Sequence, residues 1–209
     1  MKKFSIPKYF LVFILLSISL FAEESKIDSL ISLPYDQIVS EPKKLIPQLL
    51  SVLEDNETTD KYKNAKLYSN LALAYSSISD FANYRKAAIK AIKLFEETNS
   101  ELDLTLEYGL FGFHLRRTNI ERAKYYMQLS IKLGEKNNFI NELRGIYDNY
   151  GVLLEFTNDL DSALYFYKKA LDIKYTLSDS IGIPYGLNHL AGLYARQYGR
   201  SIHMYGRIR

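Results

Sequence analysis

One pattern occurs three times in the middle of this chain, and that internal repeat limits the fold more than any other feature. The polar–apolar pairs Asp80-Phe81, Asn119-Ile120 and Asp159-Leu160 stand 39 and then 40 residues apart. Three residues after each pair come Tyr84, Ala123 and Ala163, followed by Ala91, Ser130 and Ala170, and then by Leu94, Leu133 and Ile173. Upstream, the same spacing aligns Leu71, Leu110, Tyr150 and Leu190, and next to them Ala72, Phe111, Gly151 and Ala191. Tyr75, His114, Leu154 and Tyr194 follow four residues after the first set. A period of this length marks stacked supersecondary units, each too small to bury its own apolar face.

The third copy shows the physics of one unit. Tyr147, Tyr150, Gly151 and Leu154 recur at helical spacing and mark one apolar face. Thr157-Asn158-Asp159 interrupts, with Asp159 placed to cap a new helix. Leu160, Ala163, Tyr167, Ala170 and Leu171 then share a second apolar face. A break this short between two apolar faces predicts an antiparallel helical hairpin. Gly151 and Ala163 are small where backbones must meet, and Tyr150 and Tyr167 fill the space around them.

This alternation of large and small residues resembles the tetratricopeptide repeat. Tyr150-Gly151, Ala163, Tyr167 and Ala170 match that family's pattern, as do Leu71-Ala72, Tyr75 and Ala91 in the first copy, which carries Tyr84 where alanine is usual. The second copy reads as degenerate, with Phe111 at the small position and Ser130 for alanine. The period near 40 exceeds the family's usual 34 and is similar to the long-period helical arrays of some bacterial signalling regulators. The resemblance implies an all-α fold, a right-handed superhelical solenoid of antiparallel helix pairs. On this reading residues 59–98, 99–138 and 139–178 are three full repeats, and 179–209 holds an incomplete fourth with a basic tail.

Upstream of the repeats, residues 23–58 read as an irregular helical cap. Pro42 is placed to begin a helix, and Pro47 either kinks it or marks its true start. Residues 1–22 stand apart. Lys2, Lys3 and Lys8 precede a run from Tyr9 to Phe21 that is apolar except for Ser17 and Ser19, and Ala22 leads into Glu23-Glu24. These are the parts of a secretory signal. At about 1.5 Å per residue the run spans roughly 20 Å, short of a bilayer core of about 30 Å. Export to the periplasm is therefore expected, with an uncleaved N-terminal anchor facing the periplasm as the alternative and the only membrane contact. The chain has no cysteine, which excludes a cysteine-linked lipid, disulfides and thiolate metal sites.

Removing the leader lowers Lys plus Arg from 27 to 24, equal to the 24 acidic residues. A neutral mature chain offers no positive stripe for nucleic acid. Residues 181–209 carry four arginines and two histidines with no Asp or Glu. Where the repeat calls for an Asp/Asn–apolar pair near 199–200, Gly199-Arg200 stands instead. The uncovered helix face this leaves predicts self-association through the incomplete repeat, and the abrupt ending also fits a chain whose C-terminal part has been lost.

The sequence offers little catalytic chemistry. His114, His189 and His203 lack metal-binding spacing, and no phosphate-binding or nucleophile-elbow motif is present. His114 occupies a large-residue position and reads as packed. Of the eighteen tyrosines, Tyr68, Tyr75, Tyr84, Tyr147, Tyr150, Tyr167 and Tyr194 fall on repeat-core positions. No enzyme activity, cofactor or metal is expected.

The tetratricopeptide resemblance implies a concave groove lined by the first helix of each pair. Its lining would be Lys66, Ser69, Leu73, Tyr108, Arg116, Asp148, Val152, Glu155, Asn188 and Arg196. Lys66 and Asn70 are similar to parts of the family's carboxylate clamp, but Ser69, Gly109 and Gly145 depart from it, so that function is not carried over. The expected function is a non-catalytic scaffold that binds a protein or peptide. The alternative is the truncated extracytoplasmic sensing region of a sensor histidine kinase or nucleotide cyclase.

Overall fold

The computed structural model describes residues 24–55 and 60–206, with side chains throughout except at 55 and 198–206. The expected leader and the last residues of the expected tail lie outside this range. The described residues form helices joined by short turns, and successive helices pack as pairs: an all-α solenoid of antiparallel hairpins. Two compact units divide at Thr98/Asn99.

The first unit contains α1 (24–31), α2 (Tyr35–Ser40), α3 (Pro42–Asp55), α4 (Lys61–Ser77) and α5 (Phe81–Glu97). α3 begins at Pro42 and runs through Pro47, so the first proline, not the second, starts the helix. α1 is tied to α4 by the buried Asn70 Nδ2, which donates to the Leu30 carbonyl at 2.7 Å, and by Lys63 paired with Asp28 at 2.8 Å. α2 and α3 also pack on α4. Between α4 and α5, Ala65, Ala74, Ala88 and Ala91 are fully buried and let the backbones approach closely.

The second unit contains α6 (Glu101–Leu115), α7 (Ile120–Lys136), α8 (Ile140–Phe156), α9 (Leu160–Thr176) and α10 (Gly182–Gly206). α6 pairs with α7 and α8 with α9, α8 stacks on α6 and α7, and α10 packs on α9. The polar member of each repeated pair caps a helix. Asp80, Asn119 and Asp159 each accept from the backbone N–H three residues on, at 3.1, 3.0 and 3.3 Å. Each side chain thereby satisfies one amide that the first helical turn leaves without a partner.

The turns explain the two spacings. Ser79, Asn138, Asn158 and Ser178 adopt left-handed backbone with φ of 61, 57, 69 and 53°. Beyond each, an N–H bonds the carbonyl five residues back, as Asp159 does to Leu154 at 2.9 Å. The α6–α7 connection is one residue shorter when counted from matching helix positions: Asn119 N–H reaches Leu115 O, four residues back, at 2.8 Å, and the connection contains no left-handed residue. First helices therefore start 40 and then 39 residues apart, and second helices 39 and then 40.

This shift corrects the alignment of the second repeat. Phe111, not Leu110, corresponds to Leu71 and Tyr150, and Gly112 stands with Ala72 and Gly151 at the small position. A Cβ on Gly112 would lie 2.9 Å from the Ala123 carbonyl oxygen, so this copy keeps its small residue and is not degenerate there. Ser130 is fully buried and donates to the Thr105 carbonyl at 2.5 Å, a contact alanine could not make.

α10 occupies the position of a fourth first helix. Pro184 lies in its opening turn, and the helix continues through Gly199-Arg200. Leu193 is fully buried, but Leu187 and Tyr194 are 46% and 44% exposed where their third-repeat counterparts, Tyr147 and Leu154, are 2% and 4%. Tyr194 is thus not a core residue among the described helices.

Candidate functional site

The residues expected to line one groove occupy different settings. Lys66, Ser69 and Leu73 share one half-buried face of α4 in the first unit. In the second unit, Tyr108 leaves the set. The one-residue shift puts Gly109 in register with Ser69 and Asp148, and Tyr108 turns to Tyr126 on α7, ring centroids 5.9 Å apart. Arg116 closes α6 with its guanidinium stacked 3.7 Å over the Phe113 ring and bonded to the Phe113 carbonyl at 2.7 Å. Val152 is half-buried on α8, and Asn188 is exposed on α10.

Asp148, Glu155 and Arg196 are brought together, in a polar network that joins α8, α9 and α10. The buried Asp148 carboxylate pairs through Oδ2 with the equally buried Lys174 ammonium. Its Oδ1 faces His189 Nδ1 at 3.8 Å, too far for a hydrogen bond, and both atoms are buried without one. The His189 ring lies between Tyr167 and Tyr185, centroids 4.8 and 4.7 Å away. Further along α8, Glu155 accepts from the Tyr167 hydroxyl at 2.9 Å and pairs with Arg196 at 2.6 Å. Asp148 is therefore an internal anchor rather than a solvent-facing groove residue.

Burial sets the titration of this network. It holds His189 below the usual histidine range; the Lys174 ammonium adds to that effect, while the Asp148 and Glu155 carboxylates oppose it. Burial, reinforced by the bond to Glu155, also pushes the Tyr167 hydroxyl well above the usual tyrosine range. His114 on α6 is held down to about 4, mainly by burial and secondarily by Arg116. That histidine is half-buried, and the corrected register places it with Ala74 and Leu153 instead of Tyr75 and Leu154.

Sequence reading missed Lys174 and His189. The signal lies in the corrected register: Asp148 stands where the other repeats have Ser69 and Gly109, and Lys174 where they have Phe95 and Gly134. Opposite charges at two positions that are otherwise small or apolar mark a compensating pair.

A second recurring arrangement lies on the α7–α9 side. Phe111 and Tyr126 meet edge-to-face at 4.9 Å, and their counterparts Tyr150 and Phe166 do so at 4.8 Å. The exposed Tyr125 and Tyr165 flank these clusters at equivalent places. Among the described residues, no group of three or more His, Asp or Glu side chains could hold a metal ion, and no helix is long and apolar enough to cross a membrane.

No family model and no curated protein matches the chain. It is similar to the solved structure of BtubC (BKLC) from P. vanneervenii, with a TM-score of 0.55 and 15% identity, over 90% of this chain and 92% of that one. At that identity the likeness concerns the fold, which is a helical repeat.

Proposed function

We propose that the chain is an exported, non-catalytic binding module of the tetratricopeptide type, which recognises a protein or peptide along the first-helix face of its repeats. The observation that carries this reading is an apolar stripe on α6: Leu102, Leu106 and Leu110 are 43%, 40% and 42% exposed at successive helical turns. Three leucines exposed in line point to a surface with a use, because each side chain gains about 1.5–3 kcal/mol on full burial. Leu106 stands in register with Lys66 of the groove set, and Arg116 lies at the end of the same helix. The large–small pairs Leu71-Ala72, Phe111-Gly112 and Tyr150-Gly151 support the tetratricopeptide assignment. Rigid helical pairs present a preformed surface and so lose little entropy on binding.

The test is affinity capture from the periplasmic fraction with the full chain, compared with a Leu106→Asp/Leu110→Asp variant. Both leucines are exposed, and circular dichroism of the variant checks that it keeps its helices. A partner retained by the native chain and lost by the variant is expected, and equal recovery by both overturns the groove. N-terminal sequencing tests export, with a mature chain starting near Glu23 as the expected outcome.

A further inference from the structure

The second-helix side of the second unit holds a separate trench. Residues of α7 and α9, with α8 between them, line a crevice. The Glu135–Lys169 ion pair, at 2.8 Å, crosses this crevice, and the Tyr147 hydroxyl donates to the same Glu135 oxygen at 2.5 Å. On one side of the bridge is a depression of about 540 Å³ floored by Ile131, Tyr150 and Phe166. On the other is one of about 380 Å³ lined by Leu143, Tyr147 and Ile173. Aromatic stacking and the Gln128–Tyr150 hydrogen bond at 2.9 Å fix the floor.

The two ends differ in charge. Lys132 rims the larger depression and Asp172 the smaller. Both are exposed, and neither side-chain charge has an ion-pair partner among the described residues. Lys136, also on the larger rim, reaches Glu101 at 2.7 Å. The trench is thus apolar along its floor, positive at one end and negative at the other.

We infer that this trench is a docking site for an amphipathic helix of a partner protein. The helix carries two apolar residues seven positions apart, with acidic residues beside the first and basic residues beside the second. The spacing follows from the lining: Phe166 and Ile173, one in each depression, are seven residues apart on α9, about 10 Å at 1.5 Å per residue. A bound helix of that periodicity places one apolar side chain on each side of the Glu135–Lys169 bridge. The charge pattern follows from Lys132 and Asp172, which reject a helix of uniform sign at one end or the other. This surface is independent of the α6 stripe, and its test does not depend on the α6 variants.

The experiment uses the full chain and fluorescein-labelled helical probes about fifteen residues long, read by anisotropy. The first probe has leucine at its fourth and eleventh positions, glutamates flanking the former and lysines flanking the latter. The others keep the leucines but carry only glutamate or only lysine. Saturable binding of the mixed probe, roughly tenfold or more tighter than either uniform probe, is expected. Single changes at the two rims should turn that preference in opposite directions. Lys132→Glu makes both ends acidic and should favour the all-lysine probe, whereas Asp172→Lys makes both ends basic and should favour the all-glutamate probe. Both positions are exposed, so neither change disturbs the core. Equal affinity for the three probes, no saturable binding, or an unchanged preference in the variants overturns the proposal. Sedimentation of the unliganded chain covers the remaining occupant: a dimer that Lys132→Glu dissolves assigns the trench to a second copy and likewise overturns a partner helix.

Discussion

Lys174 on α9 and Asp148 on α8 form an ion pair in the interior of the second unit, each more than nine-tenths buried, with His189 of α10 closing over the carboxylate. Two buried charges repay their desolvation only while both are present. Lys174→Met alone, or Asp148→Leu alone, is expected to destabilise the chain by about 3–5 kcal/mol. The double variant should fall within about 1 kcal/mol of the native chain, because apolar residues of similar volume replace the pair. Urea unfolding of the three variants measures the difference, and equal losses in single and double variants would contradict the pairing.

Gly151 and Tyr167 show why the first helix needs a small residue. A Cβ on Gly151 would come within 2.5 Å of the Tyr167 ring, which is 1% exposed and bonded to Glu155. Gly151→Ala and Gly112→Ala should each cost about 1–3 kcal/mol through overpacking. At Gly145, by contrast, a Cβ would meet no neighbouring group within 4 Å. Gly145→Ala should therefore stabilise α8 by roughly 0.5–1 kcal/mol. Thermal unfolding separates the two signs.

The left-handed turn residues make a further test. Ser178 holds φ of 53° without a glycine, and Asn138 holds 57°. Asparagine tolerates this region better than serine. Ser178→Gly should therefore stabilise by about 0.5–1 kcal/mol and Asn138→Gly by less, whereas Ser178→Val should destabilise by about 1–2 kcal/mol. Chemical denaturation midpoints give the order.

The buried histidines set a pH dependence. His114 titrates at about 4 in the folded chain against its ordinary 6.5 when unfolded. Between those values the unfolded chain takes up a proton that the folded chain refuses, so stability falls as pH drops from 6.5 towards 4 and levels off below. His189 is shifted in the same direction. His114→Leu, which installs the residue found at the equivalent Leu153 and Leu193, should flatten the slope of stability against pH in that window. An unchanged slope would remove His114 from the account.

Residue type alone dictates the helical hairpins. The helical spacing of Leu160, Ala163, Tyr167 and Ala170 and the capping of α9 by Asp159 are local consequences of the chain, and so both are legible in it. The period of the repeat is legible for the same reason. Packing in three dimensions fixes the register across the short α6–α7 turn and everything that follows from it. One residue fewer between matching positions of α6 and α7 leaves each helix's pattern intact while shifting one helix against the next, and a period averaged over both helices hides the shift. The averaged period therefore aligns Tyr108 with Asp148, although its ring belongs with Tyr126, and passes over Gly112 for Phe111. The Asp148–Lys174–His189 cluster joins residues from three helices through distances that no one-dimensional spacing contains. Helices and caps form from interactions within a few residues, whereas the choice of buried face depends on neighbours that are distant along the chain.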